Sequence, residues 1–334
     1  MTRLLVIAPP DFAPLDLLRR DAPDVEVSVG TDAESLRADA ARADAVLLAP
    51  RYGSLLTDLW RELRGGAEDK PQAPAAPETW PTSAAGRAGG VRWIHTLAAG
   101  VDSLPFDLLR RTDVVVTNSR GLYADALGEF AIAAMLWFAK DLRRMIRNQD
   151  RERWEPYTVE RLEGRTVGII GYGGVGEAAG RRAAALGMRI LPVRRRQELG
   201  EPTIDEVISQ SDYLLLCTPL TPGTFRLLSR ERIAAMKPTA VLINLGRGAT
   251  VDEEALIEAL RKRRIRGAAL DVYEVEPLPA GHPLWQLDNV LISPHTADHT
   301  DDAHFRAMQF FLENLKRFRA GESLQNVVDK VEQY

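Results

Sequence analysis

The stretch Thr166-Val-Gly-Ile-Ile170, followed by Gly171-Tyr-Gly-Gly-Val-Gly176, decides the fold of this chain. β-Branched residues packed this densely, without polar alternation, are typical of a strand buried on both faces. The next glycines have the spacing G-x-G-x-x-G, and apolar residues then recur at helical spacing from Val175 to Leu186. Strand, tight glycine turn and helix in this order predict a dinucleotide site, because the N-terminus of a helix binds phosphates. A purely structural glycine turn is the alternative.

The glycines of this motif have separate roles. Gly171 allows the turn, Gly173 lets a pyrophosphate approach the backbone, and Gly176 lets the helix pack closely on the strand. We therefore expect the cofactor to contact four turn residues, which are Gly171, Gly173, Gly174 and Val175.

The residues after the next predicted strand, Arg189 to Val193, indicate which cofactor binds. NAD sites usually place an acidic residue about twenty positions beyond the motif, where it binds the ribose 2′-hydroxyl. Here Arg194, Arg195 and Arg196 occupy that place, and no carboxylate occurs before Glu198. A guanidinium binds a 2′-phosphate through charge-assisted hydrogen bonds, so the sequence favours NADP(H) over NAD(H). A solvated basic loop is the other interpretation.

Composition sets the class of protein. The chain has 334 residues, 45% of them apolar and 27% charged, which suits two globular domains. A net charge of −4 gives no reason to expect a nucleic acid or a membrane as partner. The single Cys217 suits a reducing compartment, and the first apolar run, ended by Pro9, is too short for a signal peptide. We expect a cytoplasmic protein.

Strand and helix patterns alternate in the first half, which predicts a parallel sheet covered on both faces. The predicted strands are Leu4–Ala8, Val25–Val29, Ala45–Ala49, Val91–Thr96 and Val114–Thr117, and the predicted helices are Leu15–Arg20, Ala33–Ala41 and Leu55–Leu63. The segment from Gly65 to Gly90 is rich in Pro, Gly, Ala and Ser, so we expect a surface insertion, with a lid or partner loop as the functional alternative.

The second half repeats the alternation. Its predicted strands beyond Val193 are Tyr213–Thr218, Ala240–Leu245, Gly267–Asp271 and Asn289–Ile292. Three helices are also predicted, namely one long apolar helix at Leu127–Arg147, one at Asp252–Arg261 with a capping box of Thr250 and Glu253, and a final one at Asp301–Arg319 packing through Phe305, Met308, Leu312 and Leu315. Pro192 does not fit the pattern of the strand Arg189–Val193, because it has no N–H to donate to a neighbouring strand and we expect this strand to be internal.

Polar residues follow the strands of the second half where ligands of open parallel sheets bind. They are Arg247, Asp271, Glu276 and His295. His295 is the natural acid or base at neutral pH, and Glu276 could raise its pKa and select its tautomer. Arg247, between two glycines, could bind a carboxylate in bidentate fashion, and Asp271 could hold the nicotinamide amide. A loop histidine, a solvated acid and a strand-end cap are the structural alternatives.

Several separated motifs together resemble the D-isomer-specific 2-hydroxyacid dehydrogenase family. Besides the glycine turn they are Ala99-Gly-Val-Asp102, Asn244-Leu-Gly-Arg-Gly248, Leu270-Asp-Val-Tyr-Glu-Val-Glu-Pro-Leu278 and Ser293-Pro-His295. The resemblance covers nearly the whole chain except residues 65–90. It implies two Rossmann-like domains, each a doubly wound parallel sheet, with the active site in the cleft between them. The substrate domain would comprise residues 1–118 and 298–334, and the dinucleotide domain residues 119–297.

The resemblance also implies roles for single residues. Arg247 would bind the substrate carboxylate, His295 would transfer the proton, and Glu276 would be its partner. Backbone N–H groups of Ala99, Gly100 and Val101 would help to hold the carboxylate. The remaining cofactor contacts would come from Thr218, Pro219, Leu245 and Asp271. No metal is expected, and family members are usually homodimers.

Two departures from the family pattern affect substrate and cofactor. Asp298 stands where a small residue is common, and the basic run at Arg194 replaces the usual acid. Tyr52 is a candidate to face the substrate side chain, with a surface tyrosine as the alternative. The sequence thus predicts an enzyme that reduces a small 2-oxo acid, such as glyoxylate or hydroxypyruvate, with NADP(H). A phosphite dehydrogenase and a non-catalytic, corepressor-like dinucleotide sensor remain the alternatives; formate dehydrogenase and a longer phosphoglycerate dehydrogenase fit less well.

Overall fold

A computed structural model describes residues 1–63, 90–195 and 202–333 of the chain. They form two compact units, the first comprising Met1–Leu122 and Asp301–Tyr334 and the second Tyr123–Thr300. The predicted insertion, apart from Gly90, and Arg196 lie outside the described residues.

The first unit is a five-stranded parallel sheet with the order β2-β1-β3-β4-β5. Its strands are β1 (Arg3–Ile7), β2 (Glu26–Gly30), β3 (Ala45–Leu48), β4 (Trp93–Thr96) and β5 (Val115–Asn118). Its helices are α1 (Leu15–Asp21), α2 (Ala33–Ala40), α3 (Leu55–Leu63), α4 (Phe106–Leu109) and α11 (Ala303–Ala320). Strands β1, β3 and β4 lie inside the sheet, so both of their faces are covered. Residues Leu4–Ile7 of β1 and all of β3 are apolar and buried, whereas β4 also buries the polar His95 and Thr96.

The second unit is a six-stranded parallel sheet with the order β11-β10-β9-β8-β6-β7. Its strands are β6 (Thr166–Ile170), β7 (Arg189–Val193), β8 (Tyr213–Leu216), β9 (Val241–Asn244), β10 (Gly267–Leu270) and β11 (Val290–Ile292). Its helices are α5 (Ala124–Ala139), α6 (Leu142–Asp150), α7 (Gly174–Ala185), α8 (Ile204–Gln210), α9 (Arg230–Ala234) and α10 (Glu253–Arg261), with 3₁₀ turns at Gly248–Thr250 and Pro283–Gln286. The predicted α/β class with two parallel sheets is confirmed.

Within the described part of the chain, strand β7 pairs with β6 alone and lies at the edge of its sheet, so the prediction that it is internal is wrong. The edge position explains Pro192, since one side of an edge strand needs no ladder donor.

The prediction of one helix over Leu127–Arg147 is also wrong. The helical backbone breaks at Asp141, whose φ is +48°, and separates α5 from α6. The break exposes carbonyl groups that the following segment satisfies. The Tyr157 hydroxyl donates to the carbonyls of Lys140 and Asp141, both at 3.4 Å, and the Glu160 N–H donates to Ala139 O at 2.8 Å. These bonds are typical of partners that compensate for a helix end.

Two smaller expectations fail as well. The N-cap of α10 is Asp252, whose carboxylate accepts the N–H of Ala255, whereas the Thr250 hydroxyl donates to Arg247 O at 2.6 Å. The predicted capping box of Thr250 and Glu253 is therefore absent from this helix. On α11, Met308, Leu312 and Leu315 are buried as predicted, but Phe305 is exposed and the buried aromatic residues are Phe311 and Phe318.

Candidate active site

The glycines of the turn between β6 and α7 serve different purposes, some for packing and one for space beside the backbone. Gly171 has φ +94°, and a Cβ there would lie 2.8 Å from the backbone of Cys217. A Cβ at Gly176 would lie 2.5 Å from Gly171 O. One at Gly173 would have no heavy atom within 4 Å from described residues beyond its chain neighbours and its own helix. Packing within the fold therefore requires glycine at 171 and 176. It does not require glycine at 173, so the space beside Gly173 is available to a ligand. Helix α7 has no side-chain cap at Gly173, so the turn fits a pyrophosphate.

A second observation fits a dinucleotide at this sheet edge. The Thr218 side-chain oxygen, just beyond β8, is buried and has no hydrogen-bond partner among the described residues. A buried polar atom in this condition is costly unless a ligand or water satisfies it. Thr218 is also packed against the next loop, because a Cβ at Gly246 would lie 2.5 Å from Thr218 O. The exposed Pro219 follows it, whereas the Leu245 side chain belongs to the core and only its backbone borders the edge.

One basic residue beyond β7, Arg194, contacts the glycine turn and the helix that follows it. The Arg194 guanidinium carbon lies 4.7 Å from the centroid of the Tyr172 ring, and one guanidinium nitrogen lies 3.9 Å from Glu177 Oε1. Arg195 is exposed. Positive charge thus lies beside the turn, and the sequence did not reveal the contact between Arg194 and Tyr172.

His295 and Glu276 form a hydrogen-bonded ion pair. His295 Nδ1 lies 2.7 Å from Glu276 Oε2, and the backbone N–H of Tyr273 donates to Glu276 Oε1 at 3.0 Å. Each carboxylate oxygen therefore has one partner, which orients the carboxylate. Both side chains are about one third exposed, 37% for His295 and 34% for Glu276. The imidazole is thus held through Nδ1 and remains accessible to a small molecule.

The loop that carries His295 is held by Asp271. His295 has φ +55°, an uncommon conformation for a residue other than glycine. The buried Asp271 Oδ1 accepts three hydrogen bonds, from the Ser293 hydroxyl at 2.6 Å and from the N–H groups of Thr296 and Ala297 at 2.9 and 3.1 Å. Asp271 therefore anchors this loop on both sides of His295, a role that the sequence analysis did not assign to it.

Arg247 completes the group. A Cβ at Gly248 would lie 1.8 Å from the backbone carbon of Tyr273, so only glycine lets the loop after β9 pack against the end of β10. Arg247 is half-buried on this loop and donates from Nη1 to Gly246 O at 2.7 Å. Its positive charge lowers the pKa of both His295 and Glu276, so the Arg247 side chain lies within electrostatic range of the pair.

The charges shift both members of the pair in opposite directions. The hydrogen bond and charge of Glu276 raise the pKa of His295, against the effects of burial and of Arg247. Burial by itself would raise the pKa of Glu276, but the bonds from His295 and Tyr273 and the charges of His295 and Arg247 lower it. The pair therefore favours a protonated imidazole beside a carboxylate, which is the form that donates a proton.

The predicted substrate residues of the first unit lie on loops after β3 and β4. The N–H groups of Ala99, Gly100 and Val101 donate no hydrogen bond within the described part of the chain. The Asn118 side chain fixes their loop by donating to Ala99 O at 2.7 Å. Tyr52 is half-buried and packs against the core of this unit.

Carboxylates also lie near two other histidines, with His282 Nε2 3.3 Å from Glu253 Oε1 and His299 Nε2 3.7 Å from Asp298 Oδ1. His95 is fully buried, bonds Thr117 Oγ1 at 2.7 Å, and has its pKa lowered to about 3 by burial. Burial also raises the pKa of the Cys217 thiol to about 12. Among residues 1–63, 90–195 and 202–333, no three His, Cys, Asp or Glu side chains are grouped as a metal site would require. None of the helices described has the length and apolar content needed to cross a bilayer.

Comparison with known proteins finds relatives in one family of dehydrogenases. Residues 132–297 match the model of the D-isomer specific 2-hydroxyacid dehydrogenase NAD-binding domain. A glyoxylate reductase from Thermofilum pendens is 34% identical over 258 residues, which are 73% of this chain and 76% of the relative.

Two solved structures resemble the whole chain. One is a D-isomer specific 2-hydroxyacid dehydrogenase from Xanthobacter autotrophicus Py2 in complex with NADPH, with 27% identity, a TM-score of 0.79, and coverage of 100% of this chain and 99% of that one. The other is an NADPH-dependent glyoxylate/hydroxypyruvate reductase from Sinorhizobium meliloti in complex with NADP and malonate, with 25% identity, a TM-score of 0.77, and coverage of 99% and 98%.

Proposed function

The chain belongs to the D-isomer specific 2-hydroxyacid dehydrogenase family, and on that premise we propose that it reduces small 2-oxo acids of the glyoxylate and hydroxypyruvate type with NADP(H). Membership makes it an oxidoreductase that uses a nicotinamide dinucleotide. The observation that carries the proposal is the ion pair of His295 and Glu276 beside Arg247. An intact pair of this kind argues against a protein that only senses the dinucleotide, since binding does not require a proton donor.

Each member of the group has a distinct task in this reaction. The Arg247 guanidinium binds the carboxylate of the 2-oxo acid, for which its planar array of donors is suited. His295 holds a proton and donates it to the carbonyl oxygen as that oxygen becomes an alkoxide. A reduced nicotinamide, when bound, supplies the hydride for the carbonyl carbon.

Charge development explains why these residues accelerate the reaction. Negative charge grows on the carbonyl oxygen only as the transition state is approached, so the positive charges of His295 and Arg247 act most strongly there. Glu276 stays ionised, keeps the imidazole protonated and holds it by Nδ1. The other ring nitrogen is then the one that donates to substrate.

The preference for NADP(H) is supported by Arg194 and Arg195 after β7, where an acid would favour NAD(H). A hydrogen bond to a charged group contributes about 1.5–3 kcal/mol, so Arg194→Ala or Arg195→Ala should reduce the preference by about ten- to a hundredfold. Steady-state measurement of kcat/KM with NADPH and NADH tests this directly. Equal values for the two cofactors in the parent enzyme would contradict the preference and leave the reaction class intact.

The substrate class is tested by following the loss of NADPH absorbance with a panel of 2-oxo acids. We expect glyoxylate and hydroxypyruvate to be reduced faster than 2-oxo acids with large side chains. Turnover with phosphite and NADP⁺, without reduction of any 2-oxo acid, would contradict the proposal in favour of the phosphite alternative. Several finer expectations stay predictions. They are the binding of substrate by the amides of Ala99–Val101, the contribution of Tyr52, the nicotinamide contact of Asp271, the cytoplasmic location and the homodimer.

A further inference from the structure

Tyr172 and Arg194 form a stacked pair at the glycine turn. Tyr172 stands between Gly171 and Gly173, and the Arg194 guanidinium carbon lies 4.7 Å from the centroid of its ring. At this distance the positive charge is attracted by the electron-rich face of the ring. The pair joins a residue of the turn to a residue at the end of β7, two segments that are more than twenty positions apart in the chain.

The Tyr172 ring is fixed independently of Arg194. Its backbone N–H donates to Val193 O at 3.0 Å, which ties the turn to β7. On the side of α7, a Cβ at Gly180 would lie 2.8 Å from the Tyr172 hydroxyl oxygen and 2.9 Å from a ring carbon. The missing side chain at Gly180 therefore provides the space that the ring occupies. The half-buried ring also packs against the apolar core of the second unit.

The stacked geometry suits phosphate binding. A guanidinium is planar, and its N–H groups point outward within the plane. Stacking on Tyr172 covers one face of this plane. It therefore does not prevent the N–H groups at the edge of the guanidinium from donating hydrogen bonds to a phosphate. The second contact, to Glu177 Oε1 at 3.9 Å, joins two well-exposed groups and is weak.

We propose that Tyr172 is a positioning residue for cofactor choice, because its ring holds the Arg194 guanidinium in the orientation that binds the 2′-phosphate of NADP(H). The proposal rests on the proposed preference for NADP(H). Without the ring, the long arginine side chain would lose more rotational freedom on binding, and the affinity for the 2′-phosphate would fall. Affinity for NAD(H), which lacks this phosphate, would not change.

Equilibrium binding tests the proposal without turnover. Isothermal titration calorimetry would give Kd values of NADP⁺ and NAD⁺ for the full-length parent, Tyr172→Leu, Tyr172→Phe, Arg194→Ala and the Tyr172→Leu/Arg194→Ala double variant. A cation–π contact at an exposed site is worth a factor of about two to five in affinity. We expect Tyr172→Leu to weaken NADP⁺ by this factor, to leave NAD⁺ within twofold, and to have no further effect once Arg194 is alanine. Tyr172→Phe keeps the ring face and should bind NADP⁺ as the parent does.

Three results would overturn the role of Tyr172. They are equal weakening of NADP⁺ and NAD⁺ by Tyr172→Leu, additive effects of the two substitutions in the double variant, and unchanged NADP⁺ binding by Tyr172→Leu. Unchanged NAD⁺ affinity also shows that the turn is still folded. If the parent itself binds both dinucleotides equally, the preference for NADP(H) fails first; if the parent prefers NADP⁺ and Tyr172→Leu retains that preference, only the role of Tyr172 fails.

Discussion

His95 in the first unit and His295 in the second form Nδ1 hydrogen bonds of the same length, 2.7 Å. Their pKa values are nevertheless shifted in opposite directions from that of an ordinary histidine. His95 is buried and bonds a neutral hydroxyl, so burial lowers its pKa to about 3. His295 is one third exposed and bonds the carboxylate of Glu276, which raises its pKa. The charge of the partner and access to water, rather than the hydrogen bond itself, decide which histidine can donate a proton near neutral pH.

The two units also differ in the turn that follows the first strand of each sheet. The turn after β6 contains glycines and leads into α7 without a side-chain cap. The corresponding connection after β1 contains Pro9, Pro10 and Pro14, and Pro14 is the N-cap of α1. Proline has no N–H to offer an anion, so this connection lacks the donors that phosphate binding needs. Similar sheets thus have different ligand capacities because of a few residues at one turn.

The largest expected effect comes from removing the proton donor. His295→Gln should lower kcat for 2-oxo acid reduction by roughly 10²–10⁴, since a general acid contributes about this factor. Steady-state assays at pH 7 measure it, and His304→Gln, at an exposed histidine of the first unit, is the matched control. A rate within a few-fold of the parent would remove His295 from the proposed role.

A smaller effect is expected at the glycine turn. Gly173→Ala has space for its methyl group beside the turn but should weaken binding of NADP⁺ and NAD⁺ by about ten- to a hundredfold, the cost of losing about one hydrogen bond to a charged group. Gly176→Ala should instead lower the melting temperature, because its methyl group meets Gly171 O. Calorimetric binding and thermal unfolding separate the two. Similar melting temperatures for both variants would refute the division between fold and ligand at this turn.

The pH profile tests the charge of the partner. In the proposed reaction His295 must be protonated, so we expect activity to be lost as the pH rises through its pKa. Glu276→Gln removes the group that raises this pKa, and the alkaline limb of kcat/KM should move to lower pH. Once the pH exceeds the pKa, each unit of lowering costs about tenfold in the protonated fraction. An alkaline limb unchanged in Glu276→Gln would mean that another group titrates.

The last prediction concerns the stability of the first unit and does not involve the candidate site. Folded His95 stays neutral down to about pH 3, whereas a histidine in the unfolded chain takes up a proton near pH 6.5. Between these values the unfolded state binds more protons, so the free energy of unfolding falls as the pH falls. His95→Gln should make this slope shallower by about 1.4 kcal/mol per pH unit in urea unfolding. An identical slope in parent and variant would show that His95 is protonated in the fold.

Much of the fold could be read from residue patterns. Helix α3 and strands β6 and β7 lie where apolar runs and periodicity predicted them, because local spacing determines which face is buried. The errors have tertiary causes. The break at Asp141 depends on Tyr157 and Glu160, which bond the exposed carbonyls from a distant segment. The edge position of β7 depends on strand order, which no local pattern contains.

The candidate site shows the same division. The glycine spacing and the four polar residues after the strands were recognisable because such positions meet at one sheet edge. The anchoring of the His295 loop by Asp271 and the stacking of Arg194 on Tyr172 were not, since both depend on side chains that are about twenty residues apart meeting in space.

The amino-acid sequence by itself determined the parallel α/β architecture, the dinucleotide turn and the identity of the residues able to move a proton. Only the tertiary structure decided that His295 is paired with Glu276 and that His95 is buried as a neutral group. The physical reason is that burial patterns and turns follow from neighbours along the chain, whereas the acidity of a group depends on charges and solvent access that distant segments supply when they pack together.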